Sequence, residues 1–427
     1  MKPLLELIAR HKAGQSVGIY SVCSAHALVI EAALRRARAQ DGYVLIEATS
    51  NQVNQDGGYT GMRPADFAAY VLSIATRVGV PHERVLLGGD HLGPNCWQNL
   101  GAEDALIRSE RLIADYVAAG FRKIHLDCSM SCHGDPPVLN DTVVATRAAR
   151  LCSVAEQTWR KVGGEAPVYI VGTEVPVPGG AHESLTTVIP TEPAAARATI
   201  DTHRRAFASA GLGEVWPRVI GLVVQPGVEF DHHKVIDFIP ERVAALSAVV
   251  AALPTMLFEA HSTDYQTPQN LRALVRGHFA ILKVGPGLTF ALREVLWALA
   301  LLEREWLPAE RGSKLRDTLL EAMTANPRHW DKYYLSTGAQ LKLDQQYSLS
   351  DRLRYYWPVS AVEQALARLL ANLDENPPTL TLLSQFLPQQ YAAIRAGTLS
   401  MSARDWVIHY VDGVLQHYDA ACTGAAA

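Results

Sequence analysis

Runs of consecutive apolar residues recur along the chain, with helical patterns between them. They are SVGIYSVCS (16–24), YVLIEATS (43–50), RVLLGGDH (84–91), KIHLDCS (123–129), PVYIVGTEV (167–175), RVIGLVVQ (218–225), TMLFEAH (255–261) and AILKVG (280–285). A strand with one wet face alternates apolar and polar positions; an unbroken run suits a strand covered on both faces. The stretches between, such as ALVIEAALRRARAQ and ALIRSERLIADYVAAG, are rich in good helix formers. Strand alternating with helix means βαβ units and a parallel sheet. The pattern predicts an α/β fold, a (β/α)8 TIM barrel over residues 1–305. The rival, a doubly wound open sheet, predicts a phosphate loop after the first strand. YSVCSAHALV there has no Gly-x-Gly-x-x-Gly.

From about Trp306 the rhythm stops. Residues 306–427 show helical patterns around 358–374 and 402–419, separated by ENPPT, and no buried-strand run. They predict a C-terminal helical appendage packed on the barrel, with the final TGAAA frayed. A composition of 48% hydrophobic and 19% charged residues, with a net charge of −4, offers no basic excess for nucleic acid or an anionic membrane. Six scattered cysteines and no secretory segment predict a cytoplasmic protein with free thiols. The most apolar stretch, TFALREVLWALALLEREW, is broken by charges and reads as a buried helix, not a membrane span.

In a TIM barrel the C-terminal strand ends and the loops after them build the active site. Here those ends are polar: Ser21 and Ser24, Glu47 and Thr49, Asp90 and His91, Asp127 and Ser129, Thr173 and Glu174, then Gln225, Glu259, His261 and Lys283. Buried polar groups must be paired or hydrated, so together they imply a wet, charged cavity. Neutral imidazole binds divalent metal, which makes His91 and His261 candidate ligands; Asp90, beside His91, is the candidate general base. Glu259, two positions before His261, points the same way, as a ligand or as a partner of Lys283. In QPGVEFDHHKV, His232 is preferred to His233 as a further ligand. Glu174 and Asp127 are candidate acid–base groups. The set suits Zn²⁺ first, then Mn²⁺, Ni²⁺ or Co²⁺. Plainer roles stand beside these: a rim histidine holding a loop, a buried ion pair, a solvated loop histidine.

KVGPGLTFALRE leads from the eighth strand straight into a helix, so Gly285 and Gly287 offer free amides for an anion, with Arg293 one turn in. NQVNQDGGYTGMRP reads as a loop over the cavity, its Asn51 and Gln52 suited to sugar hydroxyls. Gln225, Ser262, Asp264 and Lys283 are the other candidate substrate contacts. Arg352, Arg354 and Tyr355 of the tail read slightly better as interface packing than as cavity residues.

The segments LGGDHLGPNCWQ, IHLDCSMSC, GTEVPVPGG, VVQPGVEFDHH, FEAHSTDYQTP, KVGPGLTFALRE and SDRLRYYWP closely resemble the Z subunits of class II tagatose-1,6-bisphosphate aldolase (GatZ/KbaZ-like), from the third strand to the tail. The resemblance implies a TIM barrel related to the zinc-dependent class II aldolases, with Asp90 as proton-transfer group and His91 and His261 as metal ligands. It implies partnership with a catalytic Y-type subunit, while some relatives are assigned ketohexose or uronate 4-epimerase activity. One departure stands out. Catalytic class II aldolases end strand six in a metal-binding histidine; here Gln225 stands there, so His232 or a carboxylate must replace that ligand. The expected chemistry is making and breaking C3–C4 of a ketose or ketose phosphate, in an oligomer. Aldolase component, ketohexose 4-epimerase and non-catalytic stabilising subunit all stay open, because one retro-aldol site serves both reactions.

Overall fold

The computed structural model describes residues 1–174, 180–181, 185 and 187–424. Each apolar run forms a strand: β1 (Ile19–Val22), β2 (Val44–Thr49), β3 (Val85–Leu92), β4 (Lys123–Leu126), β5 (Val168–Val171), β6 (Val219–Val224), β7 (Leu257–Ala260) and β8 (Ile281–Val284). Each pairs in parallel with its neighbours in the chain, and β8 closes on β1 with Ile19 opposite Ile281. The expected (β/α)8 barrel is the observed fold. Most strands are shorter than their runs, whose last polar residues pass into loops; β3 is the exception and keeps Asp90 and His91 within the strand. Val175, which ends the fifth run, and the rest of VPVPG (175–179) lie outside the described residues, as do residues 425–427 of the TGAAA tail.

Helices wrap the barrel because one face of each is apolar. In Pro64–Val78, for example, Phe67, Val71, Ile74 and Val78 are buried at helical spacing. Between β6 and β7 a two-residue antiparallel hairpin, Glu229–Phe230 with Val235–Ile236, is inserted. It is too short for its pattern to announce it.

Beyond Trp306 the tail is helical, including Ser360–Glu375 and Ala403–Thr423, with Leu380–Phe386 and Pro388–Arg395 between them. Ala403–Thr423 packs against the barrel helices Ala27–Ala39, Pro268–Arg276 and Pro286–Trp306. Arg36 grips Asp412 with two 2.6 Å hydrogen bonds, and the Tyr418 hydroxyl donates to the Thr263 carbonyl at 2.8 Å. No helix among the described residues is long and apolar enough to cross a membrane.

Candidate active site

Side chains alternate along a strand, so two adjacent residues do not ordinarily face one cavity. β3 manages it with an irregularity. Its register with β4 shifts between Gly89 and Leu92, and His91 takes a left-handed φ of 49°. Asp90 and His91 then both line the cavity at the strand ends. The flanking glycines make room. A Cβ on Gly88 would stand 2.7 Å from Glu47 Oε1, and one on Gly93 only 1.7 Å from the Asp127 carbonyl oxygen.

Three imidazoles meet at this point. Ring centres lie 5.2 Å apart for His91 and His125, 5.0 Å for His91 and His261, and 5.3 Å for His125 and His261. Asp90 Oδ1 accepts from His125 Nδ1 at 2.8 Å and from the His91 backbone N–H at 3.1 Å. His91 Nδ1 is 2.9 Å from Asp127 Oδ2, and Asp127 is itself held by Ser129. A carboxylate behind an imidazole fixes its tautomer and aims the other nitrogen. His261 Nε2 lies 3.0 Å from Glu259 Oε1. Asp90, His125, Glu259 and His261 present ligand atoms all within 4.8 Å of one another.

Beneath them lies a buried ion network. Lys123 Nζ stands 2.6 Å from both Glu47 Oε1 and Glu259 Oε2. Lys283 pairs with Glu47 and lies 3.0 Å from Asp90 Oδ1. Four buried carboxylates, Glu47, Asp90, Asp127 and Glu259, thus face two ammonium groups. Buried charge must be balanced, and with the imidazoles neutral, as metal ligation requires, the excess matches a divalent cation. The donors fit one too: His125 Nε2 is buried with no hydrogen-bond partner, an orphan that a metal would satisfy.

The electrostatics follow from this crowding. Burial pushes the Asp90 carboxyl up, but His91, Lys283 and His125 outweigh it and hold it well below the usual range. Burial lowers His91, yet Asp90 and Asp127 bring it above its ordinary value. Burial takes His261 down to about 4, which leaves its imidazole neutral at physiological pH. Glu229, in the hairpin, is raised by burial to about 7.

The cavity, open to solvent, is lined by Asn51, Gln52, Asp90, His91, His261, Ser262, Asp264, Lys283 and Gly285, joined by Tyr59 and by Arg354 and Tyr355 of the tail. Several sequence expectations need correction. His232 is spent on the tail: its ring nitrogens meet Ser348 Oγ at 3.1 Å and the Tyr333 carbonyl at 3.0 Å. Gln225 is not part of the cavity lining; its Oε1 accepts from the Gly227 and Val228 amides and builds a turn. Glu174 is exposed and bonded to Thr191. Asp127 stands behind His91, not in the cavity lining. Arg293 sits over Phe290, 4.1 Å from the ring centre, and is not part of the cavity lining. The Gly285 and Gly287 amides donate to Asp264 Oδ1 at 2.9 and 2.7 Å, so the expected anion seat is filled by the chain's own carboxylate. Arg354 and Tyr355, read as interface packing, line the cavity instead. The residue missed was His125. Lys123, His125 and Asp127 alternate in KIHLD, and that inward-facing period of two was the available signal.

A closed barrel whose strand ends gather imidazoles and carboxylates around one solvent-open cavity defines the class of protein. The chain belongs to the D-tagatose-1,6-bisphosphate aldolase subunit GatZ/KbaZ-like family, whose sequence model matches residues 4–423. A crystal structure described as a probable tagatose 6 phosphate kinase from Sinorhizobium meliloti 1021 is 48% identical, with a TM-score of 0.87, over 95% of this chain and 100% of that one. Much more remote is the fructuronate-tagaturonate epimerase UxaE from Cohnella laeviribosi, 12% identical with a TM-score of 0.49 over 96% of this chain and 82% of that one. The YdjI aldolase from Escherichia coli K12 stands at 12% and 0.41, over 83% and 93%. Neither of these two bears on the chemistry here.

Proposed function

We propose that this chain is a metal-dependent ketose 4-epimerase that breaks and re-forms the C3–C4 bond of an unphosphorylated ketohexose. The observation that carries the reading is the convergence of His91, His125 and His261 on Asp90. His91, His125 and His261, with Asp90 or Glu259 beside them, would hold the cation. Bound there, it supplies a Lewis acid for the C2 carbonyl and for the charge that develops on cleavage. Asp90, held ionised by its neighbours, takes the C4 hydroxyl proton. Asn51 and Gln52 offer hydrogen bonds to the sugar, and Lys283 keeps Asp90 in place. If the aldehyde re-adds through its other face, the product is the C4 epimer.

The filled helix terminus favours a free sugar over a bisphosphate. A barrel of this kind ordinarily seats phosphate near strands seven and eight, and Asp264 stands in that seat.

The test is to incubate the pure full chain, with and without Mn²⁺, Ni²⁺ or Zn²⁺, with fructose, tagatose and tagatose-1,6-bisphosphate, and to analyse the products. Fructose and tagatose are expected to interconvert only with metal, and His125→Ala to lose both bound metal and turnover. Absence of any metal-dependent product, together with activity appearing when a Y-type aldolase subunit is added, would replace this reading with the stabilising-subunit one.

A further inference from the structure

Epimerisation through cleavage poses a geometric problem. The C4 oxygen leaves its proton on one side of the carbon and needs one on the other side after the aldehyde has turned. One fixed base does not serve both positions. The cavity holds a second proton-transfer candidate, on the tail and not on the barrel wall. Tyr355 belongs to the short helix Arg352–Tyr356 and lines the same cavity as Asp90. Its phenol oxygen accepts an N–H from Arg354 at 3.1 Å, and no acceptor for its own proton stands among the described residues. The ring is locked: it stacks on His329 at 4.7 Å and an interplanar angle of 2°, and meets Tyr59 edge-on at 4.6 Å.

Resting on the epimerase reading, we propose that Tyr355 is a catalytic residue: the group that hands a proton to the C4 oxygen on the inverted face, as Asp90 removes it on the other. The sequence balances. Asp90 takes the C4 hydroxyl proton; the C3–C4 pair moves to C3 and is delocalised towards the C2 oxygen, leaving an aldehyde at C4. After the aldehyde turns, the enediolate carbon attacks C4 and restores the bond. The carbonyl π pair goes to the C4 oxygen, which takes the Tyr355 proton. The phenolate is held by Arg354, and solvent returns the proton from Asp90 to Tyr355. In the reverse direction the two groups exchange roles.

The charges around the ring support this. Arg354 lies 4.6 Å and Arg352 5.5 Å from its centre. Burial raises the phenol, but these two guanidinium groups outweigh it and bring it below its ordinary value. Tyr59, in the same cavity, is pushed by burial up to about 12. The other titratable neighbours are His329, lowered by burial to about 4, and Cys96, raised by burial. Neither carries charge near neutral pH, so the arginines dominate.

Tyr355→Phe keeps the ring stack and removes the proton. In the metal-loaded full chain, epimer formation from fructose is expected to fall by about 10²–10⁴-fold. The ratio of released triose to epimer should rise, because cleavage still proceeds. In metal-free protein, an absorbance titration should lose the one tyrosine that ionises ahead of the others, while Tyr43→Phe, at an exposed site, leaves it. Arg354→Met should move the alkaline limb of the pH–rate profile upward. A wild-type chain inert on every ketose removes the epimerase reading and this proposal with it. A wild type that epimerises beside a Tyr355→Phe variant active within about threefold leaves that reading standing and overturns the role of Tyr355 alone.

Discussion

Asp264 shows how one residue changes what a loop can do. Its carboxylate occupies amides that a ligand would otherwise use, and burial raises its pKa from 3.8 to about 6. A carboxyl raised on folding binds its proton more tightly in the native state, so the native state loses stability as pH rises between those values and levels off above them. The shift is worth about 3 kcal/mol at neutral pH. Asp90 and Asp127 act with the opposite sign, since their carboxyls are lowered: they add stability that is lost only in acid. Asp264→Asn keeps an acceptor for the two amides and removes the titration. Its urea midpoint should therefore fall less than that of wild type between pH 4 and pH 6. Parallel curves for the two proteins would show that Asp264 is not the buried acid described. With the seat still filled by a neutral acceptor, inorganic phosphate should inhibit neither protein strongly.

At the scale of elements, β3 and its turn carry the site, and their glycines are not interchangeable. Gly93→Ala drives a Cβ into the backbone just beyond β4, at Asp127, and neither side is a flexible group that can give way. A loss of about 1–3 kcal/mol in urea unfolding is expected from such overpacking, with weaker metal retention because Asp127 orients His91. Gly101→Ala, where an added Cβ meets nothing within 4 Å, should stay within about 0.5 kcal/mol of wild type. Equal losses in the two variants would refute the steric account. The contrast also marks what the chain makes legible. Strands read clearly because burial on both faces leaves unbroken apolar runs, and strand-end polarity pointed to Asp90, His91 and His261. His125 was hidden because an imidazole midway through KIHLD resembles a strand interior until barrel closure turns it toward the others. Asp264 was recognised as polar, but which of the neighbouring groups would fill the Gly285–Gly287 amides depends on a left-handed turn at Ser262 and Tyr265 that no periodicity encodes. His232 misled for a related reason: its partners, Ser348 and Tyr333, lie more than a hundred residues on.

The whole molecule joins two regions that look separate along the chain. The loss of strand rhythm after Trp306 suggests a barrel complete at residue 305 with an appendage behind it, yet the last helix is part of the barrel's cover. Trp406, Val407, Ile408, Val411, Leu415 and Tyr418 are all buried, on a helix that packs against three barrel helices. Full burial of a large apolar side chain is worth ~1.5–3 kcal/mol, so this face contributes on the order of 10 kcal/mol, comparable to the ~5–15 kcal/mol net stability of a folded protein. The bidentate pair between Arg36 and Asp412 is smaller than that, worth about 1–3 kcal/mol. The tail also brings Arg354 and Tyr355 to the cavity, so the barrel without it lacks both cover and part of its site. A chain ending at residue 305 is therefore expected to show no cooperative melting transition by circular dichroism, and one ending at residue 402 to melt far below the full chain. Asp412→Asn should melt within a few degrees of wild type. If residues 1–305 melted cooperatively near the temperature of the intact protein, the barrel would be a self-sufficient domain and the tail an accessory to its chemistry alone.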